Sequence, residues 1–290
     1  MRIAIFGKPN HHDFRDFLEH LYKSLAAQGC EVLTYEPFSQ AASTARESLE
    51  AAKFFSTHHE LVGQADYLFS IGGDGTLLDT VSLIRDSGIP VLGINLGRLG
   101  FLSSIARDET DKAIQYLLHS KVHVDQRSLL KLDLKGSSGF DYALNELSIL
   151  KEYPSSMLTI STYVNDAFLN SYWADGLIVA TPTGSTAYSL SCGGPILTPD
   201  SNNFVITPVA THNLTMRPIV LPDSSIIKIK VEGREHSYLL GLDSRIQSIH
   251  SSDELVISKA GFTLNLVRMP EKNFFSTLRA KLSWGMDIRN

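Results

Sequence analysis

The chain has 290 residues, of which 43% are hydrophobic and 20% are charged, and its net charge is −5. These values are typical of a soluble globular protein with one large or two ordinary domains, and they argue against a general nucleic-acid binder. No apolar run approaches the ~20 residues that a membrane helix needs, and the strand-like start does not match a signal peptide. The two cysteines do not make a disulfide framework. We therefore expect a cytoplasmic protein that binds neither membranes nor nucleic acids.

The first 121 residues alternate strand and helix signals. This alternation predicts an α/β domain with a Rossmann-like or phosphofructokinase-like parallel sheet. Ligands of such sheets bind beyond the carboxyl ends of the strands, where we expect two glycine-rich turns, Gly72–Thr76 and Asn95–Gly100. Strands are predicted at 3–6, 31–35, 67–71 and 89–95, and helices at 13–29, 41–56, 77–85 and 108–119.

Residues 122–269 carry strand-like runs separated by turn residues. They predict a second, all-β, sandwich-like domain with one short helix after Gly184, capped by Ser185 or Thr183. A helix at 274–284, within 270–290, is predicted to pack back on the first domain. The predicted strands are 122–134, 140–150, 158–164, 177–180, 226–231, 237–242, 255–257 and 263–267.

The stretch Gly72-Gly73-Asp74-Gly75-Thr76 joins a predicted strand to a predicted helix. Glycines there let an anion approach the backbone, and the free N–H groups and dipole of the helix N-terminus attract negative charge. The stretch therefore predicts a phosphate-binding loop. The carboxylate in its middle is unfavourable for an anion unless it does chemistry or helps to hold a metal.

Polar stretches in the second half indicate a further binding site. Asn145-Glu146 would form hydrogen bonds to a sugar or a base edge, or it is a solvated strand end. Asp175-Gly176 precedes a strand that runs into Thr181–Pro195, where six small hydroxyl residues stand beside glycines, as expected of a nucleotide or phosphate site. His212 is more typical of a structural residue. Neither it nor His11-His12 has zinc-ligand spacing.

Five motifs, in order, resemble those of the NAD kinases across most of the chain. They are Gly72–Thr76, Asn145-Glu146, Asp175-Gly176, Thr181–Pro195 and Arg217-Pro218. The first loop alone is also similar to that of diacylglycerol kinases, sphingosine kinases and phosphofructokinases, whereas the hydroxyl-rich motif is specific to the NAD kinases. The resemblance implies transfer of the γ-phosphoryl group of ATP to the 2′-hydroxyl of the adenosine ribose of NAD. It also implies Mg²⁺ or another divalent cation, a homodimer or homotetramer, and a site in the cleft between the domains.

The resemblance further implies roles for individual residues, although it assigns no metal ligand. Asp74 would be the general base, and Asn145 and Glu146 would hold the adenosine part of NAD. Asp175 would contact the nicotinamide-side nucleoside. Arg245 stands where the family has Gln, and it would pair with a phosphate of the dinucleotide or is a solvated strand residue. The phosphate donor would bind Gly72, Gly73, Gly75 and Thr76, and the pocket would be lined by Thr183, Thr186, Ala187, Tyr188, Ser189, Leu190, Ser191 and Ala210.

Two other hypotheses fit parts of the sequence. A lipid kinase with the same glycine loop would need an apolar acceptor pocket or a membrane-facing surface, and it would not need Thr181–Pro195. A non-catalytic dinucleotide-binding protein would keep the pocket motifs but would not need Asp74. An assay for NADP formation distinguishes the three.

Overall fold

The structure is a computed structural model that describes residues 1–8, 15–39, 53–135, 139–154, 157–233, 237–250 and 253–283. The chain divides into two compact units. Unit 1 is Met1–Gln126 with Leu264–Asn290, and unit 2 is Arg127–Thr263. The predicted boundaries were 121/122 and 269/270. Within the described residues, the helices are too short or too polar to cross a membrane.

Unit 1 alternates strands and helices up to residue 118. Its strands are β1 (Arg2–Gly7), β2 (Glu31–Tyr35), β3 (Lys53–Phe55), β4 (Tyr67–Ile71), β5 (Val91–Asn95) and β6 (Ile105–Ala106). Its helices are α1 (Arg15–Ala27), α2 (Glu36–Ser39), α3 (His58–Leu61), α4 (Asp74–Ile84) and α5 (Thr110–Leu118).

These strands form a parallel sheet in the order β3-β2-β1-β4-β5, which confirms the predicted α/β fold. Ile3, Phe69 and Ile94 are buried in its core, as expected for parallel strands covered on both faces. The helix predicted at 41–56 is wrong at its end, where β3 lies beside β2. The buried Phe55 ring contacts Tyr35 with centroids 5.6 Å apart, and this packing favours a strand. Residues 41–52 lie outside the described part.

Unit 2 is built almost entirely from strands, and the first and last of them cross its boundaries. The strands are β7 (His123–Asp133), β8 (Tyr142–Ala143), β9 (Glu146–Leu150), β10 (Leu158–Val164), β11 (Ala167–Ala174), β12 (Gly176–Ala180), β13 (Asn203–Val209), β14 (Ile219–Pro222), β15 (Ile227–Gly233), β16 (Ser237–Leu242), β17 (Arg245–His250) and β18 (Glu254–Arg268). The helices that follow β12 and β18 are α6 (Tyr188–Ser191) and α7 (Phe274–Leu282).

Two antiparallel layers form unit 2. One is the six-stranded sheet β14-β13-β12-β9-β16-β17, and the other contains β11-β10-β15-β18. Leu177 and Phe204 of the first layer share a buried cluster with Ile229 and Leu255 of the second, which confirms the predicted sandwich. The two strands predicted at 255–257 and 263–267 are one continuous strand, β18. Strands β11, β13, β14 and β17 were not predicted.

Candidate functional site

The loop Gly72–Thr76 leaves room for a ligand beside the start of α4. Gly72 has φ 147°, and a Cβ there would lie 2.4 Å from the Thr76 hydroxyl, so the position requires glycine. Gly73 and Gly75 are exposed, and a Cβ on either would meet nothing within 4 Å. The N–H groups of Gly72 and Thr76 donate to the carbonyls of Ile94 at 2.9 Å and Gly73 at 3.0 Å, whereas those of Asp74 and Gly75 precede the first intrahelical hydrogen bond. This loop can therefore bind an anion, as its sequence predicts.

A neighbouring loop holds the carboxylate of Asp74. Its Oδ2 accepts a hydrogen bond from the N–H of Phe101 at 2.8 Å. Its Oδ1 accepts from the N–H groups of Leu102 at 3.0 Å and Ser103 at 2.8 Å. A Cβ on Gly100 would lie 1.9 Å from Oδ1, so this close approach also requires glycine. A carboxylate has about four lone-pair sites, which leaves one, on Oδ2, for a substrate.

The described residues offer no ready-made metal site. Within the ranges given above, no group of three or more His, Cys, Asp or Glu side chains is placed to hold an ion. The His212 ring lies 4.9 Å from that of Trp173, and its backbone N–H donates to the Trp173 carbonyl. These contacts support the structural interpretation of His212. His11 and His12 lie outside the described residues.

The segment Leu144–Glu146 is held through all six of its backbone polar groups. Asp243 accepts from the N–H groups of Leu144 at 2.8 Å, Asn145 at 2.7 Å and Glu146 at 3.2 Å, and its own N–H donates to the Glu146 carbonyl at 3.0 Å. Thr181 donates its hydroxyl to the Leu144 carbonyl at 2.5 Å and its N–H to the Asn145 carbonyl at 2.9 Å. The predicted pair Asn145-Glu146 thus lies in a rigid segment. Sequence reasoning missed the contribution of Asp243.

The environment of Glu146 is unfavourable for its charge. Burial, and secondarily the nearby charge of Asp243, raises the pKa of Glu146 to about 7, although the N–H of Tyr188 donates to it. Burial likewise raises the pKa of Asp243, against the three N–H groups that stabilise its carboxylate. The Oε2 atom of Glu146 is buried and has no hydrogen-bond partner among the described residues.

The turn after β12 packs directly on Asn145. A Cβ on Gly184 would lie 2.0 Å from the Asn145 carbonyl oxygen, so only glycine fits there. The prediction that Thr183 or Ser185 caps the following helix is wrong. The hydroxyl of Thr181 accepts the Gly184 N–H at 3.1 Å instead. The Thr181–Pro195 motif and the Asn145 segment are therefore one structure.

The pocket residues predicted from this motif differ in exposure. Thr183 and Ser189 are buried, and the Ser189 hydroxyl forms a 2.8 Å hydrogen bond with that of Thr207, so it supports the fold from inside. The others are half-buried or exposed and available to a ligand: Thr186, Ala187, Tyr188, Leu190 and Ser191.

Asp175 and Ala210 lie at the other end of β12. The Asp175 carboxylate pairs with Lys151 at 2.8 Å, and its N–H donates to the carbonyl of Val209, next to the exposed Ala210. Glu146 is opposite Ala180, at the far end of this five-residue strand, about 17 Å from Asp175 along the strand. The two groups would thus contact different parts of an elongated ligand. Lys151 was not predicted.

The Arg245 guanidinium contacts residues of its own unit, unit 2. It donates to the carbonyls of Phe140 and Tyr142 and lies 5.1 Å from the centre of the Phe140 ring. These contacts anchor the chain just before Leu144. Pairing of Arg245 with a dinucleotide phosphate stays a prediction.

Comparison with known proteins identifies the family of the chain. The family model of the ATP-NAD kinase N-terminal domain matches residues 3–122, and that of the C-terminal domain matches residues 144–269. The NAD kinases of Flavobacterium psychrophilum and Christiangramia forsetii are 44% and 42% identical to this chain, each over 100% of both proteins.

Solved structures show the same fold. Yeast NADH kinase complexed with NADH has a TM-score of 0.88 and 25% identity, and the match covers 100% of this chain and 89% of that one. An NAD kinase from Archaeoglobus fulgidus in complex with ATP has a TM-score of 0.76 and 23% identity, over 98% and 99% of the two chains, and supports the fold alone. From the two matching family models and the full-length relatives, this chain belongs to the NAD kinase family.

Proposed function

We propose that this chain transfers the γ-phosphoryl group of ATP to the 2′-hydroxyl of the adenosine ribose of NAD and so produces NADP. Its relatives are named NAD kinase, which makes it a phosphotransferase with an alcohol acceptor. The observation that carries the proposal is the Asp74 carboxylate, which is held by three N–H groups beside exposed glycines. A carboxylate in an anion-binding loop is explained if an acceptor hydroxyl must be oriented there.

In the reaction, the 2′-oxygen forms a bond to the γ-phosphorus while the bond from that phosphorus to the β–γ bridging oxygen breaks. The free lone pair on Oδ2 of Asp74 would accept the hydrogen bond of the acceptor hydroxyl and finally its proton. A weak base suffices because the transition state of phosphoryl transfer is loose and proton removal occurs late. The N–H groups of Gly73, Asp74 and Gly75, at the start of α4, would bind the phosphates.

Mg²⁺, or another divalent cation, fits this site as an ion that arrives with ATP. Mg²⁺ is commonly held by substrate phosphates, water and only one or two carboxylates. Asp74 is the carboxylate of the loop, and the described residues contain no larger cluster that would hold an ion by itself. When bound, the ion would offset the charge of the triphosphate. Asp74 itself would orient the hydroxyl.

NAD would bind through the residues at the two ends of β12. The half-buried Glu146 carboxylate would accept a hydrogen bond from a ribose hydroxyl, beside Asn145. Asp175 would contact the nicotinamide-side nucleoside. Tyr188 would offer its exposed ring to the ligand. The yeast structure complexed with NADH supports a dinucleotide ligand for this fold. We further expect a homodimer or homotetramer in the cytoplasm.

The test is to incubate purified protein with ATP, Mg²⁺ and NAD and to measure NADP, with a lipid acceptor in a parallel reaction. We expect NADP from NAD and no phosphorylated lipid. Phosphorylated lipid without NADP would identify a lipid kinase instead, and NAD binding without turnover would identify a non-catalytic binding protein.

The role of Asp74 is tested by Asp74→Asn. This variant should bind NAD normally but lose about 10²- to 10⁴-fold in kcat, the usual contribution of a general base. Asp79→Asn on the same helix is the matched control, since Asp79 pairs with Lys8 outside the loop. Equal kcat values for Asp74→Asn and wild type would remove Asp74 from the mechanism.

A further inference from the structure

We infer that Asp243 is the positioning residue of the acceptor site, because it holds Leu144–Glu146 in the conformation in which Asn145 and Glu146 bind NAD. This inference rests on the proposed function. Asp243 lies in the tight turn between β16 and β17, about 98 residues from Asn145 in sequence. It would not contact the reacting atoms and would act through the segment that it holds.

The argument begins with the backbone of that segment. Leu144 and Asn145 lie between β8 and β9, where no sheet partner satisfies their N–H groups. Asp243 accepts all three N–H groups of the segment, and Thr181 satisfies the two carbonyls that Asp243 does not reach. Buried peptide groups require such partners. Without the Asp243 carboxylate, three adjacent donors would lose their acceptor and the segment would rearrange.

Asp243 occupies a turn position whose backbone conformation aspartate commonly adopts. Its φ is 54°, in the left-handed region where glycine is the least strained residue. Asp166 has a similar φ of 66° in the turn between β10 and β11, but its carboxylate pairs at the surface with Lys228 at 2.5 Å. The two residues share a left-handed φ and differ in what their carboxylates hold. Asp166 is therefore a natural control for Asp243.

The charges around Glu146 supply a second readout. Asp243 faces it from the β16–β17 turn, with Arg245 beside Asp243, while Tyr188 and Cys192 face it from the α6 stretch. The negative charge of Asp243 raises the pKa of Glu146. Because an ionised Glu146 is the better acceptor for a ribose hydroxyl, kcat/KM for NAD should fall as the pH drops through about 7. Removing the Asp243 charge should move this acid limb to lower pH.

The experiment compares wild type, Asp243→Asn, Asp243→Glu and Asp166→Asn in steady-state kinetics from pH 5.5 to 9. For Asp243→Asn we expect KM for NAD to rise roughly 10- to 100-fold. This is the usual effect of replacing one buried hydrogen-bond acceptor by a donor. Its KM for ATP should change less than about twofold, and its acid limb should lie at lower pH than that of wild type. Asp166→Asn should match wild type in all three quantities.

Asp243→Glu keeps the charge but lengthens the side chain. It should raise KM for NAD and leave the acid limb near pH 7, so it also tests the inference if Asp243→Asn fails to fold. An unchanged KM for NAD in either folded variant, or an equal rise in KM for both substrates, would overturn the inference. If wild type itself makes no NADP, it is the proposed function that has failed.

Discussion

The clearest stability prediction concerns Glu146→Gln. In the folded protein the pKa of Glu146 is about 7, against an ordinary value of 4.5, because burial disfavours its charge. Below pH 4.5 the carboxyl is neutral in both states and has no effect on the free energy of unfolding. As the pH rises from 4.5 to 7, the unfolded chain ionises first and stability is lost. Above pH 7 the full difference of about 3 kcal/mol has been lost.

Glutamine mimics the neutral carboxyl at every pH and can still accept the Tyr188 N–H. Glu146→Gln should therefore be more stable than wild type by about 3 kcal/mol at pH 8 and by less than about 1 kcal/mol at pH 5. For a protein of this size, the gain at pH 8 corresponds to a Tm higher by ~6–12 °C. The same variant should bind NAD more weakly, since the amide is a poorer acceptor than a carboxylate for a ribose hydroxyl.

The measurement is urea and thermal unfolding of both proteins at pH 5 and pH 8. Glu232→Gln, at an exposed position of the same unit, is the matched control and should give no gain at either pH. A stability gain for Glu146→Gln that is equal at pH 5 and pH 8 would refute the reasoning, because the effect would then not come from the buried charge.

Two glycine substitutions test the close contacts of the site. Gly100→Ala places a Cβ 1.9 Å from Asp74 Oδ1 and should lower kcat about 10²-fold by displacing that carboxylate. Gly97→Ala is the control: its Cβ would have its nearest atom at 4.0 Å, so kcat should not change. Similar kcat values for the two variants would contradict the role of the loop around Gly100. Gly184→Ala places a Cβ 2.0 Å from the Asn145 carbonyl and should destabilise the protein by about 1–3 kcal/mol and raise KM for NAD. Thermal unfolding and NAD titration would check it, and wild-type values in both would speak against a rigid Asn145 segment.

Most of the first unit follows from sequence because its signals are local. Apolar runs such as 67–71 and the helical spacing of 77–84 give the right elements, and the glycine loop between them predicts a ligand site. The end of the predicted helix at 41–56 fails because the burial of Phe55 beside Tyr35 is a tertiary effect. The prediction placed two strands at 255–257 and 263–267, whereas a Cβ on Gly261 would meet nothing and β18 continues through it.

The sequence predicts the site residues only where they form a motif of residues close together in the chain. Asn145-Glu146 and Thr181–Pro195 stand out by composition, and the structure brings them together through Thr181. The role of Asp243 is not predictable from local pattern, because its three acceptor contacts join residues 97 to 99 positions apart. For the same reason, local sequence patterns do not reveal that the N–H groups of residues 101–103 hold Asp74 across 27 to 29 residues.

The six backbone hydrogen bonds of Leu144–Glu146 also bear on the entropy of NAD binding. Ordering the backbone of one residue costs about 1–2 kcal/mol, so ordering these three costs about 3–6 kcal/mol. Since Asp243 and Thr181 already hold the segment without a ligand, this cost is met when the protein folds. A mobile loop would have to order as NAD arrives, and its affinity would be lower by that amount. The contacts proposed between NAD and the pair Asn145 and Glu146 would therefore not be weakened by this ordering cost.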